Sequence, residues 1–330
     1  MNTLATHPVG SAGSRSNPGM PDHQAKPSMT KHQDLIAAVD GIRGTVTFDA
    51  PLRDLTSLRI GGPADALVVP EDIEDVSRLV AQAHRARVPL CVLGGTNVLI
   101  RDGGIRGIVV SLSKLTAMEV EGAQATVVYA GAGVRMPTVL AFAVSQSLTG
   151  LEWAAGIPGT VGGAVVMNAG TRLGEMKDCL QAVHLVNPEG RVMVSPASAI
   201  AFSYRRADLP EGIVVGAWLQ LTRSAQAKVE SKTKSYLQYR KNTQPLSQPN
   251  AGSVFKNPPQ TSAGQLIEEA GLKGLRIGDA QISSKHANFI VNLGNARATD
   301  AILLIKKIQQ DVFHRTGIML EVEWKIVGEG

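Results

Sequence analysis

The chain has 330 residues, 44% of them hydrophobic and 18% charged, which is enough to bury a sizeable core and to divide into two or three domains. Its formal charge of +5 is a mild excess that selects no partner by itself. The longest uncharged stretch, Trp153 to Thr171, holds five glycines, a proline and an asparagine, too few apolar side chains to cross a bilayer, so no membrane association is expected.

The first 33 residues are rich in Ser, Pro, Gly, His and Met. They lack apolar periodicity and the continuous hydrophobic segment of a signal peptide, so residues 1–33 are expected to form a disordered tail and the protein to be cytoplasmic. From Glu71 to Arg87, apolar residues at Ile73, Val76, Leu79, Val80 and Ala83 recur at helical spacing, with acids in the first turn and Arg85 and Arg87 in the last. Pro89 ends that helix. Leu90 to Leu93 then reads as a short buried strand entering the turn Gly94-Gly95-Thr96-Asn97, which makes an α/β opening.

Strand signals follow at Ile108 to Leu112, Thr126 to Ala130, Val183 to Val186, Val192 to Ser195 and Ile213 to Leu221. One helix, Pro137 to Leu148, interrupts them, with Gly150 just past its end. Asn187-Pro188-Glu189-Gly190 has the residues of a type I turn and should join two strands as a hairpin. After Gln226 a polar helix runs to about Lys241. A capping pattern at Ser262 then opens a helix closed by Gly271. The strand Asn288 to Leu293, the helix Thr299 to Thr316 and the strand Ile318 to Val327 complete a third unit. The expected division is therefore 34–110, 111–225 and 226–330.

Seven glycines lie between Gly150 and Gly174, most of them in the run 155–164, where Gly156, Gly159, Gly162 and Gly163 surround Ile157. Glycine lets backbone N–H groups approach an anion without a Cβ in the way, so this segment reads as a diphosphate cradle. Two further segments, Arg59 to Asp65 with Gly61 and Leu93 to Leu99 with Gly94 and Gly95, supply more backbone donors. No GxGxxG follows a strand and no GxxxxGK[ST] occurs, which disfavours a Rossmann domain or a P-loop. Between residues 226 and 260, Lys228, Lys232, Lys234, Arg240, Lys241 and Lys256 stand against Glu230 alone, either as a solvated helix face or as a site for an anionic ligand. The two cysteines, Cys91 and Cys179, suggest neither a disulfide framework nor a metal site.

Taken in order, RIGGPAD (59–65), LGGTN (93–97), AGIPGTVGGAVVMNAG (155–170), FSYR (202–205), AGSVFKNP (251–258), KHANFIVN (285–292) and LEVEWKIVG (320–328) resemble the UDP-N-acetylenolpyruvoylglucosamine reductase family across residues 50 to 328. The chain is similar to the shorter of its two subtypes, having no long insertion between Arg205 and Ser253. The resemblance implies an α+β fold in which a two-part FAD-binding region of the vanillyl-alcohol-oxidase (PCMH) type precedes an α/β substrate-binding domain. It implies non-covalent FAD, NADPH as co-substrate and a UDP-sugar enolpyruvyl ether as substrate, with no nucleic-acid partner and a monomeric protein.

By the same resemblance Ser253 is the proton donor, Arg205 the catalytic arginine and Glu323 the catalytic glutamate, with Lys256 and Asn257 near the substrate. Arg59, Gly61, Gly94, Gly95, Thr96, Asn97, Gly156, Ile157, Gly159, Gly162 and Gly163 are the implied cofactor residues. Arg206 beside Arg205, and Glu321 beside Glu323, leave the register of each open. Independently of any family, Ile318, Leu320, Val322, Trp324 and Ile326 alternate onto one strand face and put Glu323 on the other, away from the core. His286 reads as a structural histidine at a strand entry. Two other readings stand beside this one. The first is an FAD-linked oxidase or dehydrogenase of an alcohol or hydroxy acid. The second is a basic binding protein, disfavoured for nucleic acid by the 4% aromatic content.

Overall fold

The computed structural model describes residues 30–330, and the expected tail falls almost wholly outside them. Its last four positions belong to the first helix, α1 (Thr30–Ala38). Strands β1 (Thr45–Pro51), β2 (Pro63–Val69), β3 (Leu90–Val92), β4 (Val98–Ile100) and β5 (Ile105–Val110) follow, with α2 (Ile73–Ala86) between β2 and β3. The first sheet runs β1-β2-β5-β3, antiparallel at β1/β2 and parallel elsewhere. Ile108, Val109 and Val110 of β5 are completely buried, as befits a parallel strand covered on both faces. The Asp72 side chain accepts from the Asp75 N–H at 2.9 Å to start α2, and Arg87 in the left-handed region ends it. The predicted face, Val76, Leu79, Val80 and Ala83, packs on Val68, Ile108 and Val110.

Beyond β6 (Met118–Glu121) and β7 (Val127–Gly131) comes α3 (Met136–Ser145), shorter than its sequence suggests because β8 (Leu148–Thr149) takes up pairing instead. Then come α4 (Val161–Val166), the two-stranded hairpin β9 (Gly170–Thr171) and β10 (Gly174–Glu175), and β11 (Leu180–Val186) with β12 (Val192–Pro196). The Asn187–Gly190 turn joins β11 to β12 as expected, Gly190 N–H donating to Asn187 O at 2.9 Å. A second hairpin, β13 (Ala201–Ser203) and β14 (Arg206–Asp208), turns on Tyr204 and Arg205. The chain returns through β15 (Ile213–Gln220) and β16 (Thr222–Arg223), the partner of β8. The second sheet has the order β12-β11-β15-β7-β6, entirely antiparallel, over a core that includes Trp153, Met176, Val183 and Leu219.

The polar helix α5 (Gln226–Thr243) buries Val229 and leads to β17 (Asn250–Ser253), α6 (Ala263–Glu269), β18 (Arg276–Ile277), β19 (Ala280–Ile282), β20 (Phe289–Asn292), α7 (Ala298–Thr316) and β21 (Lys325–Val327). The third sheet, β17-β20-β19-β18, shares a core with Leu58, Ile60 and Leu99 from the first part of the chain. Apolar side chains exclude water by area and not by sequence distance, so these early residues complete a core that begins about 190 positions later. The expected terminal strand Ile318–Val327 is corrected to the three residues of β21, which pair parallel with β4, preceded by a single bridge between Val322 and Phe255. Alternation breaks there: Glu323 and Trp324 are consecutive and both buried.

Candidate active site

Five backbone segments converge on one cavity of about 1520 Å³, lined among others by Leu93–Asn97, Ile157–Thr160, Arg205, Ser253 and Glu323. That exceeds the few hundred to about 1,000 Å³ of a single drug-sized site and leaves room for a dinucleotide and a second ligand. Two glycine loops form its floor. A Cβ on Gly94 would lie 3.6 Å from the Gly163 Cα, and one on Gly159, at φ 95°, would lie 3.2 Å from the Thr96 hydroxyl. Thr160 caps α4 by accepting from Gly163 N–H, so the run that resembles a diphosphate cradle does become a tight loop entering a helix. Ser57 also lines the cavity, its buried hydroxyl oxygen without a hydrogen-bond partner. Exposed backbone donors and an unspent hydroxyl suit a polar dinucleotide such as FAD.

Three expected cofactor residues do not reach the cavity. Gly61 faces Ile100, and Arg59 offers its carbonyl to Asn292 Nδ2 at 3.3 Å, so RIGGPAD ties the first sheet to the third. Gly156, at φ 76°, backs onto Leu237 and Arg240 of α5. Close packing of backbone explains all three glycine-segment positions without a ligand. Lys256 is likewise outside: its ammonium pairs with the exposed Glu321, which does not line the cavity either. Asn257 does line the cavity, while its Oδ1 accepts from Ala263 N–H at 3.1 Å and so holds the entry to α6.

Arg205 and Glu323, 118 positions apart, meet across the cavity, Nε donating to Oε1 at 2.8 Å. Both are largely buried, with side-chain exposures of 20% and 9%, so the expected outward-facing Glu323 is corrected to a buried one. Arg205 occupies the second central position of its turn at φ 61°, an uncommon conformation for a non-glycine residue. Asn168 secures that turn from below: its Nδ2 donates to Ser203 O at 3.2 Å and to Glu175 Oε2 at 2.9 Å. Arg206 turns outward to Asp208 and does not line the cavity, whereas Arg205 does.

Glu323 is held through its backbone. Its N–H donates to Val254 O at 2.8 Å, beside Ser253, and its carbonyl accepts from Asn97 Nδ2 at 3.3 Å. Asn288 clamps the other side of the Ser253 loop, Val254 N–H donating to its carbonyl and Phe255 N–H to its Oδ1, both at 2.9 Å. Burial pushes the Glu323 carboxyl above the usual range, against the pull of Arg205 and Lys256. Arg240, bonded to Gln244 Oε1 and Ala155 O, also faces the cavity; burial, then the nearby Arg205, draws its guanidinium down to about 10. The other five cations of the basic segment do not line it, so the charge run is mostly a solvated face. His286, expected to be structural, lines the cavity as well and has its Nδ1 engaged by Asn288 N–H. Sequence reading named Arg240 only within the basic segment and missed Tyr239 and Asn168, because a polar helix and an asparagine inside a glycine run carry no periodic signal.

Fold and cavity together define a flavin-dependent oxidoreductase, with a model for an FAD binding domain matching residues 64–195. A second model, for the C-terminal domain of UDP-N-acetylenolpyruvoylglucosamine reductase, matches residues 244–327. The chain is 43% identical to the reductase of that name from Desulforamulus reducens over 87% of this chain and 95% of the relative, and 45% identical to that of Syntrophus aciditrophicus over 87% and 94%. The crystal structure of the Thermus caldophilus enzyme superposes with a TM-score of 0.75 at 39% identity, covering 87% of this chain and all of the other. The chain belongs to the UDP-N-acetylenolpyruvoylglucosamine reductase family.

Proposed function

We propose that Arg205, Ser253 and Glu323 are the catalytic groups with which this protein reduces UDP-N-acetylglucosamine enolpyruvate to UDP-N-acetylmuramate, a step of peptidoglycan precursor synthesis. Bound FAD supplies the hydride, which it takes from NADPH. The enolpyruvyl double bond then gains hydride at C3 and a proton at C2, and negative charge develops at C2 and its carboxylate. Arg205 presents a planar fork of donors to that charge. Glu323 fixes the fork through the 2.8 Å contact, in which its carboxylate accepts from Arg205 Nε. Ser253, whose hydroxyl has no described hydrogen-bond partner and faces the cavity, delivers the proton to C2.

The observation that carries the assignment is the Arg205–Glu323 contact in a cavity shared with Ser253, made by residues from three distant segments. Gly94, Gly95, Thr96, Asn97, Ile157, Gly159, Gly162 and Gly163 would hold the cofactor, and Asn257 the substrate. The division into 34–110, 111–225 and 226–330 is supported by one larger sheet in each, although Leu58, Ile60 and β4 join the last of them across the boundary. Among the described residues no helix is long and apolar enough to cross a membrane. Both substrates are nucleotides, which supports the reading of a cytoplasmic protein. An anaerobic titration tests the function: NADPH should bleach the flavin, and the UDP-sugar enolpyruvyl ether should restore its colour. Failure of the second step would reject it.

A further inference from the structure

At the mouth of the cavity, Arg172 sits at the tip of the β9–β10 hairpin with its guanidinium carbon 4.7 Å from the ring centroid of Tyr239 on α5. Both residues line the cavity, and so do Val166 and Leu173, which with Tyr239 are between 45% and 49% exposed. Lys177, Lys232 and Arg206 are paired with acids, Glu175, Glu152 and Asp208, while Arg240 is spent on Gln244 Oε1 and Ala155 O. No described carboxylate pairs with Arg172. Stacking on a ring fixes the plane of a guanidinium through its face and leaves the N–H edges unspent. Those edges suit the oxygens of a phosphate, which a planar fork can engage two at a time.

We propose that Arg172, held by Tyr239, takes the diphosphate of the nucleotide that enters the cavity mouth, and so sets its affinity without taking part in the chemistry. The proposal rests on the function given above, in which two diphosphate nucleotides, the UDP-sugar and NADPH, use one cavity. Separate half-reactions distinguish them. In flavin-loaded Arg172→Ala, flavin reduction is followed against NADPH, and reoxidation of the reduced enzyme against the UDP-sugar enolpyruvyl ether. Flavin absorbance confirms that the variant is folded.

For the nucleotide that Arg172 holds, the half-saturating concentration should rise about tenfold or more while the limiting rate stays close to that of the native protein. Arg172→Lys should recover part of the loss. Tyr239→Leu should reproduce much of it and Tyr239→Phe should not, because the ring and not the hydroxyl is the support. The native protein should bind the same nucleotide more weakly as salt rises, and Arg172→Ala should show a shallower dependence. Unchanged half-saturation for both nucleotides, or a lower limiting rate with unchanged half-saturation, would overturn the proposal. Failure of the native reduced enzyme to be reoxidised by the UDP-sugar would instead reject the assigned function, and the NADPH arm would still report on Arg172.

Discussion

Ser253 is a turn serine by type, and nothing in its own chemistry marks it as a donor. Its loop is braced on both sides, by Asn288 and by the backbone of Glu323, so the hydroxyl is fixed at the cavity wall. Ser253→Ala should therefore leave flavin reduction by NADPH intact and slow reoxidation by the enolpyruvyl substrate about 100-fold or more. Loss of the first step instead would contradict the role. Arg205→Lys keeps the charge and loses the fork; stopped-flow reoxidation should slow by about 100-fold, as for removal of one positioned donor, whereas Arg206→Ala should change little. Asn168 bonds to the carbonyl that precedes the Arg205 turn. Asn168→Ala should thus lower the reoxidation rate while leaving NADPH-driven reduction close to normal.

Helix ends are where single elements depend on the rest of the protein. Asp102, in the turn after β4, accepts from Ala298 N–H at 2.9 Å, Thr299 N–H at 3.0 Å and the Thr299 hydroxyl at 2.6 Å, so α7 is capped from 196 positions upstream. Partial burial pushes the Asp102 carboxyl up, but the bonds from Thr299 and Ala298 and the nearby Arg297 outweigh it, and the group lies below the ordinary 3.8. A carboxylate with a lowered folded pKa contributes its full stabilisation above the unfolded value and loses it as pH falls through the folded one. Asp102→Asn should cost about 1 kcal/mol at pH 7 by urea unfolding, with the difference from the native protein shrinking as the pH falls below the ordinary carboxylate range. A difference that persists unchanged in acid would mean that shape and not charge makes the cap.

The molecule as a whole is closed by its own end. β21 pairs with β4, Arg101 N–H donates to Val327 O at 2.9 Å and Gly103 N–H to Glu329 O at 2.8 Å, while Asn97 takes the Lys325 N–H at 3.0 Å. A chain ending at Trp324 would lose these bonds and leave the edge of β4 unpaired. It should unfold at a clearly lower temperature than the full chain, with flavin released first in a thermal scan read by flavin fluorescence. Retained flavin and an unchanged midpoint would show that the closing strand is dispensable.

The elements legible in the sequence are those governed by neighbours along the chain. The 3.6 period of α2, the Asn187–Gly190 turn and the Ser262 cap each depend on residues a few positions apart, and each is present. Family motifs brought Arg205, Ser253 and Glu323 into one reading; what those motifs do not contain is how the three are held. The terminal strand misled because alternation assumes one core on one side, whereas Glu323 and Trp324 are buried against different surroundings, the cavity and the third core. RIGGPAD packs outside the cavity, with Gly61 on Ile100; a glycine needed for close packing and a glycine needed for a ligand look the same in one dimension. By itself the sequence determined most of the local elements and, through its family motifs, the flavin-type class, and it named Arg205, Ser253 and Glu323 as candidates. Only the tertiary structure decided that Arg206 and Lys256 are spent on surface ion pairs, that Arg240 and Tyr239 face the cavity, and that Leu58 belongs to the last core, because burial and charge pairing act between residues near in space wherever the chain places them.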